Sequence, residues 1–377
     1  MQLTATSPRP RVLHVTQPVD GGVARVVRDL TEAQLEAGMR ISVACPPDGP
    51  LAGFLRRIGC DVLPWQATRS PGPGIAREVR DLARLVAEAR PTVVHAHSAK
   101  AGLAARLAVR GRVPTVFQPH AWSFEAVDGA SARLALAWER RGARWASRVV
   151  CVSEAERATG ERAGITARWD VIPNGVDLTR FAPAAAPREA TTDPLVVCVG
   201  RICRQKGQDV LVRAWPLVQE RFPRARLVLV GDGPDAAALR RQATAGVRFV
   251  GADDPVPWYR QADLVVLPSR WEGMALAPLE AMACGRPAVV TDVDGARESM
   301  PAALAPHCLV PPDDPAALAR ALTGLLRDPH RLGALGELAL RHARTHHDVR
   351  RTADAVADVY RELLGAEPTE CREPINT

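Results

Sequence analysis

Two glutamates, Glu272 and Glu280, stand in the stretch 269–285 with seven residues between them, and two cations, Arg201 and Lys206, stand upstream in the stretch 199–207. Carboxylates accept hydrogen bonds from hydroxyls, while fixed cations hold phosphate oxygens. Together the segments point to a ligand carrying both groups, such as a sugar on a nucleoside diphosphate. Taken alone, the glutamates read as a helix-end carboxylate and a solvated loop residue. The cationic loop reverses that balance.

Local signals say what positions these groups. Pro278 and Gly285 frame a short helix, because proline is tolerated in a first turn and glycine just past an end. Glu280 is then expected in the first turn and Glu272 in the loop before it, both flanking the positive helix end. The backbone amides of Gly273, Met274, Ala275 and Leu276 would face the same cleft, a nest for hydroxyls and phosphate. Val199 to Arg201 end an apolar run and Gly207 opens a helix, which sets Arg201 and Lys206 at the carboxyl end of a strand, where ligands bind in open α/β sheets. Gly231 and Gly233 mark another strand-to-helix turn. Gly21 and Gly22 follow the first strand, either to let backbone approach a ligand or as a plain turn.

His120 lies just beyond a strand, either to touch a sugar hydroxyl or as a buried histidine with its bonds satisfied. His95 and His97 alternate along a strand end and read as lining or core residues, with no carboxylate or cysteine partner nearby for a metal. Asp292 and Asp294 form a literal DxD beside Gly295, which reads as a turn.

Short β-branched runs alternate with helical patterns, the mark of parallel sheets with crossover helices. One series comprises 11–16, 41–44, 92–96, 115–117, 149–152 and 170–172; a second comprises 195–199, 227–230, 248–250, 264–267 and 288–290. The stretch 174–194, rich in proline, alanine and threonine, is the linker between them. After Pro315 the pattern is helical, at 316–326, 331–345 and 351–364. This gives an α/β chain with a first domain over 1–180, a second over 181–350, and a helix and tail over 351–377 that return to the first.

At 377 residues the chain exceeds one ordinary core. It has no apolar run of about 18 residues, the minimum for a spanning helix, and its first ten residues read as a loose leader, so a cytoplasmic protein is expected. Its eight cysteines include no CxxC pair, and Cys151 and Cys198 fall inside apolar runs, as small core residues do. The formal charge is +7, and lysine occurs only at positions 100 and 206. That excess suits anionic small molecules or an anionic membrane surface; no basic stripe interleaved with aromatics points to nucleic acid.

On these residues the chain resembles retaining glycosyltransferases of family 4, with the GT-B fold of two Rossmann-like doubly wound domains facing a cleft. The resemblance rests on Gly200 and Arg201 with Lys206 and Gly207, on Gly231 and Gly233, on Pro268 and Ser269, on Glu272 and Glu280, on Cys284 and Gly285, and on 172–177. It implies transfer of a hexose from a nucleotide-diphosphate sugar, a UDP-sugar first, to a hydroxyl of a glycan, lipid-linked or small-molecule acceptor. Arg201 and Lys206 would hold the diphosphate, Glu280 the ribose, and Gly22, beside Gly21, the phosphate from the opposite domain. Glu272 and the amides of 273–276 would hold the donor sugar, with His120 at its reacting face. The loop after Gly251 would receive the base, with Gly233 in the adjacent turn. No metal and no cofactor is implied.

The first domain would take the acceptor. Its stretch 132–148 carries Arg133, Arg140, Arg141, Arg144 and Arg148 beside Leu134, Leu136, Trp138 and Trp145, either to dock on an anionic membrane at its inner face or as a solvated arginine-rich helix. A nucleotide-sugar epimerase on the same architecture and a non-catalytic nucleotide-sugar-binding protein are the competing classes.

Overall fold

The computed structural model describes residues 10–68, 72–184 and 193–365. Most of the leader (1–9), part of the linker (185–192), the tail from 366, and with it Cys371, lie outside the described residues.

Seven parallel strands form the first sheet: β1 (Arg11–Thr16), β2 (Arg40–Cys45), β3 (Asp61–Pro64), β4 (Val93–His97), β5 (Thr115–Gln118), β6 (Arg148–Cys151) and β7 (Trp169–Val171), in the order β3-β2-β1-β4-β5-β6-β7. Six more form the second: β8 (Leu195–Val199), β9 (Arg226–Val230), β10 (Val247–Gly251), β11 (Leu264–Leu267), β12 (Ala288–Thr291) and β13 (Leu309–Val310), in the order β10-β9-β8-β11-β12-β13. Both orders reverse at one point, between β1 and β4 and between β8 and β11, and crevices open at the carboxyl ends of such strands. The sequence periodicity finds eleven of these strands. The other two, β3 and β13, are edge strands whose residues, Asp61–Pro64 and Leu309–Val310, carry no run of β-branched side chains.

Helices cover both faces of each sheet, which is why the central strands are continuous apolar runs. On one face of the first sheet the helix Gly21–Glu36 packs Ala24, Val27 and Leu30 beside Ala353, Val356 and Val359 of the helix Val349–Leu363. That last helix is capped by Asp348, whose carboxylate accepts from the amide of Arg350 at 2.9 Å, and its 3.6-residue apolar stripe packs on the first domain. The chain crosses between domains twice, side by side: Val176 donates to His347 at 2.8 Å and Val349 donates to Val176 at 3.1 Å. Gly175 is required there, since a Cβ would meet the Cα of Val349 at 2.6 Å.

Every described cysteine is free, and all but Cys203 are buried. Of the two lysines, Lys100 is spent on a buried ion pair with Glu78 at 2.7 Å. No helix among the described residues is long and apolar enough to cross a membrane.

Candidate active site

The carboxyl ends of the two sheets face each other across one cleft. Its second-domain wall carries Arg201 and Lys206 from the loop after β8, and Glu272, Gly273, Met274, Ala275 and Leu276 from the loop after β11. The first-domain wall carries Gly21 and Gly22 at the start of the helix Gly21–Glu36, and His120 from the loop after β5. Ten of the residues singled out in the sequence thus meet in one crevice.

The loops are held from behind. Gly207 takes φ 65° at the start of the helix Gln208–Gln219, and Gln208 returns its amide to the carbonyl of Arg201 at 3.0 Å. Gln205 bonds the carbonyl of Trp271 at 3.0 Å while Arg270 donates its backbone amide to Gln205 at 2.7 Å, so the two cleft loops brace one another. From the first domain, Ser153 donates to the carbonyl of Gly273 at 3.1 Å and Asn174 to that of Met274 at 2.8 Å. Glu298 of the second domain accepts from the amides of Glu154 at 2.7 Å and Ala155 at 2.8 Å, opposite the positive end of the helix Glu154–Arg162.

Both glutamates differ in detail from the sequence reading. Glu280 is the fifth residue of the helix Leu276–Ala283, just past the first turn where it was expected, because Pro278 sits third. It is 1% exposed and paired across the domain interface with Arg25, while the Tyr259 hydroxyl donates to its other oxygen at 2.8 Å. That pairing raises the Arg25 pKa further, and burial beside Glu280 pushes the Tyr259 hydroxyl well up. Glu272 is paired with Lys206 and accepts from Ser269 at 2.7 Å. The free site therefore has its carboxylates neutralised by cations, and a ligand must exchange with those partners.

Gly233 and Gly251 stand behind the cleft wall. A Cβ on Gly233 would meet the carbonyl of Ile202 at 2.1 Å, so its role is to let the 231–234 turn close on the Arg201 loop. Gly251 accepts from the amide of Gly231 at 2.7 Å. Asp292 and Asp294 are engaged separately, the first with Arg297 and the second accepting from Thr159 at 2.6 Å across the domain interface.

His120 sits in a turn with φ 55°, followed by Ala121 at φ 91°. Such backbone costs about 1–3 kcal/mol per residue and needs a holder. Glu156, unremarked in the sequence, supplies it: one oxygen accepts from the amide of Ala121 at 2.5 Å and the other from Val152 at 2.7 Å. Only its place at the third position of a helix capped by Ser153 hinted at a capping contact. Arg25 was missed too, though it lies one turn after Gly21 on the same helix. His95 and His97 gain a neighbour from β1, His14, which the register sets opposite His95.

Burial pushes the Glu156 carboxyl from 4.5 up to about 7. A raised folded-state value means the folded protein binds the extra proton, so stability is lost as pH rises from about 5 through about 7, by on the order of 3 kcal/mol for this group. Glu125 is also pushed to about 7 by burial. Buried histidines whose values are lowered act in the opposite sense over the same window, so the Glu156 contribution is read as a difference. The melting temperature of Glu156→Gln relative to the wild type should rise as pH goes from about 5 to about 7, and a difference that does not change with pH would remove Glu156 from the account.

Two Rossmann-like domains with cations, backbone amides and hydroxyl acceptors around one cleft define a glycosyltransferase of the GT-B type. The first domain matches the model for Glycosyltransferase Family 4 over residues 20–180, and the second that for Glycosyl transferases group 1 over residues 193–328. The chain belongs to glycosyltransferase family 4. It is 36% identical over 246 residues to the lipopolysaccharide core biosynthesis mannosyltransferase LpcC of Rhizobium leguminosarum bv. viciae, covering 60% of this chain and 70% of that protein. It is 28% identical over 317 residues to an Escherichia coli UDP-Gal:alpha-D-GlcNAc-diphosphoundecaprenol alpha-1,3-galactosyltransferase, covering 78% and 82%. Among solved structures, Anabaena HepE shares the fold with a TM-score of 0.80 at 22% identity, over 95% of this chain and 100% of that one.

Proposed function

We propose that the chain is a retaining, metal-independent hexosyltransferase that moves a sugar from a nucleoside-diphosphate donor, UDP-linked in the first instance, to a hydroxyl of a lipid-linked or core glycan. One observation carries this reading. Arg201 and Lys206 face the amino end of the helix Gly21–Glu36 across a cleft whose remaining wall is the 272–276 loop and His120, a positive pocket for a diphosphate bounded by hydroxyl acceptors.

In this reading the phosphates take Lys206 from Glu272, the freed Glu272 and the amides of 273–276 take the donor sugar, and Glu280 exchanges Arg25 for the ribose hydroxyls. Retention is read as front-face attack: Glu280 is 1% exposed and outside the cleft lining, and the freed Glu272 is taken up by the sugar's hydroxyls, so neither is placed as a nucleophile, and the leaving phosphate oxygen accepts the acceptor's proton while Arg201 and Lys206 stabilise it. Charge stabilisation by these side chains makes a bound metal unnecessary, and the engaged Asp292 and Asp294 agree with that.

The E. coli relative's name supports a UDP-linked donor and a diphospholipid acceptor. A second reading, a GDP-mannose donor, is favoured by the Corynebacterium glutamicum and Mycolicibacterium smegmatis relatives named as GDP-mannose-dependent, at 31% and 34% identity. Incubation with UDP-, GDP- and ADP-sugars and a lipid-linked acceptor decides between them. Mass spectrometry should find a product heavier by one hexose, NMR should find the donor's anomeric configuration kept, and chelator should leave the rate unchanged. An epimerised donor formed without acceptor, or an inverted product, would contradict the proposal.

The acceptor end lies in the first domain, where the helix Gly129–Gly142 shows Leu134 at 74% exposure. Two of the basic groups in the stretch 132–148 are used internally: Arg140 of the helix bonds the carbonyl of Ala163 at 2.6 Å, and Arg148, which opens β6, pairs with Asp170 and Glu362. Arg133 and Arg141 on the same helix remain to meet an anionic membrane, whereas Arg144 lies in the turn that follows and stacks on Trp145. Flotation with anionic vesicles should show salt-sensitive binding that is weaker for Leu134→Asp; no binding at low salt would discard the membrane contact.

A further inference from the structure

Behind the cleft, pairing of His14 with His95 and of Thr16 with His97 between β1 and β4 sets three imidazoles on one face of the first sheet. All three are completely buried. The rings of His95 and His97 stack at 4.1 Å, and that of His97 stacks on His120 at 5.5 Å. Their hydrogen bonds run in a line from the first helix to the cleft. Gln34 Oε1 lies 2.8 Å from His14 Nε2, His14 Nδ1 lies 2.9 Å from His97 Nε2, and His97 Nδ1 lies 3.2 Å from His120 Nε2.

The direction of this line follows from proton counting. Burial keeps the rings neutral, with His14 lowered to about 4 and His120 to about 3, so each carries one N–H and one lone pair. Gln34 Oε1 only accepts, so His14 must donate from Nε2, which leaves its Nδ1 as a lone pair. His97 must then donate from Nε2 and accept at Nδ1, and His120 must donate from Nε2. Each ring passes the constraint to the next, and the end of the line is the ring on the cleft wall.

We propose that Gln34, His14 and His97 are positioning residues that hold His120 in its Nε2-protonated tautomer, so that Nδ1 meets the donor sugar as a fixed hydrogen-bond acceptor and selects sugars with a hydroxyl at that point. This rests on the reading of the cleft as a donor site. A neutral, oriented acceptor rejects an analogue lacking the hydroxyl, because its buried lone pair is then left unpaired. The strained turn at His120, braced by Glu156, and the relay behind it fix backbone and ring independently. The same relay engages both nitrogens of His14 and of His97, the atoms a metal ion would need.

Nitrogen-15 NMR of histidine-labelled protein tests this, with the His120 signal assigned by its loss in His120→Asn. The wild type should show His120 protonated at Nε2 alone. Gln34→Leu, which removes the acceptor at the head of the line, should give mixed tautomers at His14, His97 and His120, and Gln34→Glu, an acceptor again, should restore the single tautomer. In turnover, Gln34→Leu should lower kcat/KM about tenfold for the preferred donor and less for its deoxy analogue, and Gln34→Glu should recover the discrimination. A wild-type His120 protonated at Nδ1, an unchanged tautomer in folded Gln34→Leu, or one equivalent of zinc on the purified protein would each overturn the relay. The NMR result needs no substrate, so its failure is distinct from failure of the donor-site reading, which would appear as absent turnover with the tautomers as stated.

Discussion

Replacement of Lys206 by alanine should lower kcat/KM by about 100- to 1000-fold, the cost of removing one preorganised group that stabilises developing charge. The loss should fall mainly on kcat. In the ground state the diphosphate already carries its charge and Arg201 shares it, whereas bond cleavage at the sugar adds charge on the departing oxygen. The substitution also strands Glu272, whose remaining partner is the Ser269 hydroxyl at 2.7 Å. Lys206→Arg should recover part of the rate, since the longer, planar head keeps the charge but not the point contact. Steady-state kinetics over a range of donor concentrations separates the terms, and a change of less than about threefold in kcat would remove Lys206 from the chemistry.

Gly207→Ala should be among the most damaging single-methyl changes near the cleft. Gly207 has φ 65°, and a Cβ would stand 2.0 Å from the carbonyl oxygen of Pro268. That oxygen is backbone at the start of the Glu272 loop and has no rotamer to yield. Left-handed backbone alone costs an alanine about 1–2 kcal/mol, and the clash brings the total to on the order of 3–4 kcal/mol. Gly251→Ala is the matched control: its φ is 76°, but nothing lies within 4 Å of the added carbon. Calorimetric melting should therefore show a much larger loss for Gly207→Ala, with donor binding lost below the transition as the cationic loop and the Glu272 loop are forced apart. Equal losses in the two variants would mean that the loops do not depend on that contact.

Much of this arrangement was legible in residue order because parallel strands buried on both faces must be continuous apolar runs, and the glycines that end them must sit where backbone approaches backbone. The run 195–199, the Gly207 opening and the Pro278–Gly285 frame each carried their meaning locally. What escaped was produced by pairing between distant segments. Arg25 and Glu280 are 255 positions apart and meet only when the domains close. His14 looks like any strand residue until β4 is laid beside β1 in register. Glu156 gives no sign that one of its oxygens holds the turn at His120 until the fold brings Ala121 to it. Glu280 itself was misplaced by two residues, since proline is tolerated in the first turn and Pro278 occupies its third position rather than its first.

The central claim is that a nucleoside diphosphate sits in the cleft with its phosphates on Arg201 and Lys206 and its ribose on Glu280. The most direct measurement is calorimetric titration of UDP, GDP and ADP into the wild type, Lys206→Ala and Glu280→Gln. At least one nucleotide should bind the wild type, and both variants should weaken that binding by at least tenfold, about 1.4 kcal/mol, with Glu280→Gln leaving the pH optimum of turnover in place. Equal affinity in all three proteins, or heat from none of the nucleotides in the folded wild type, would contradict the account.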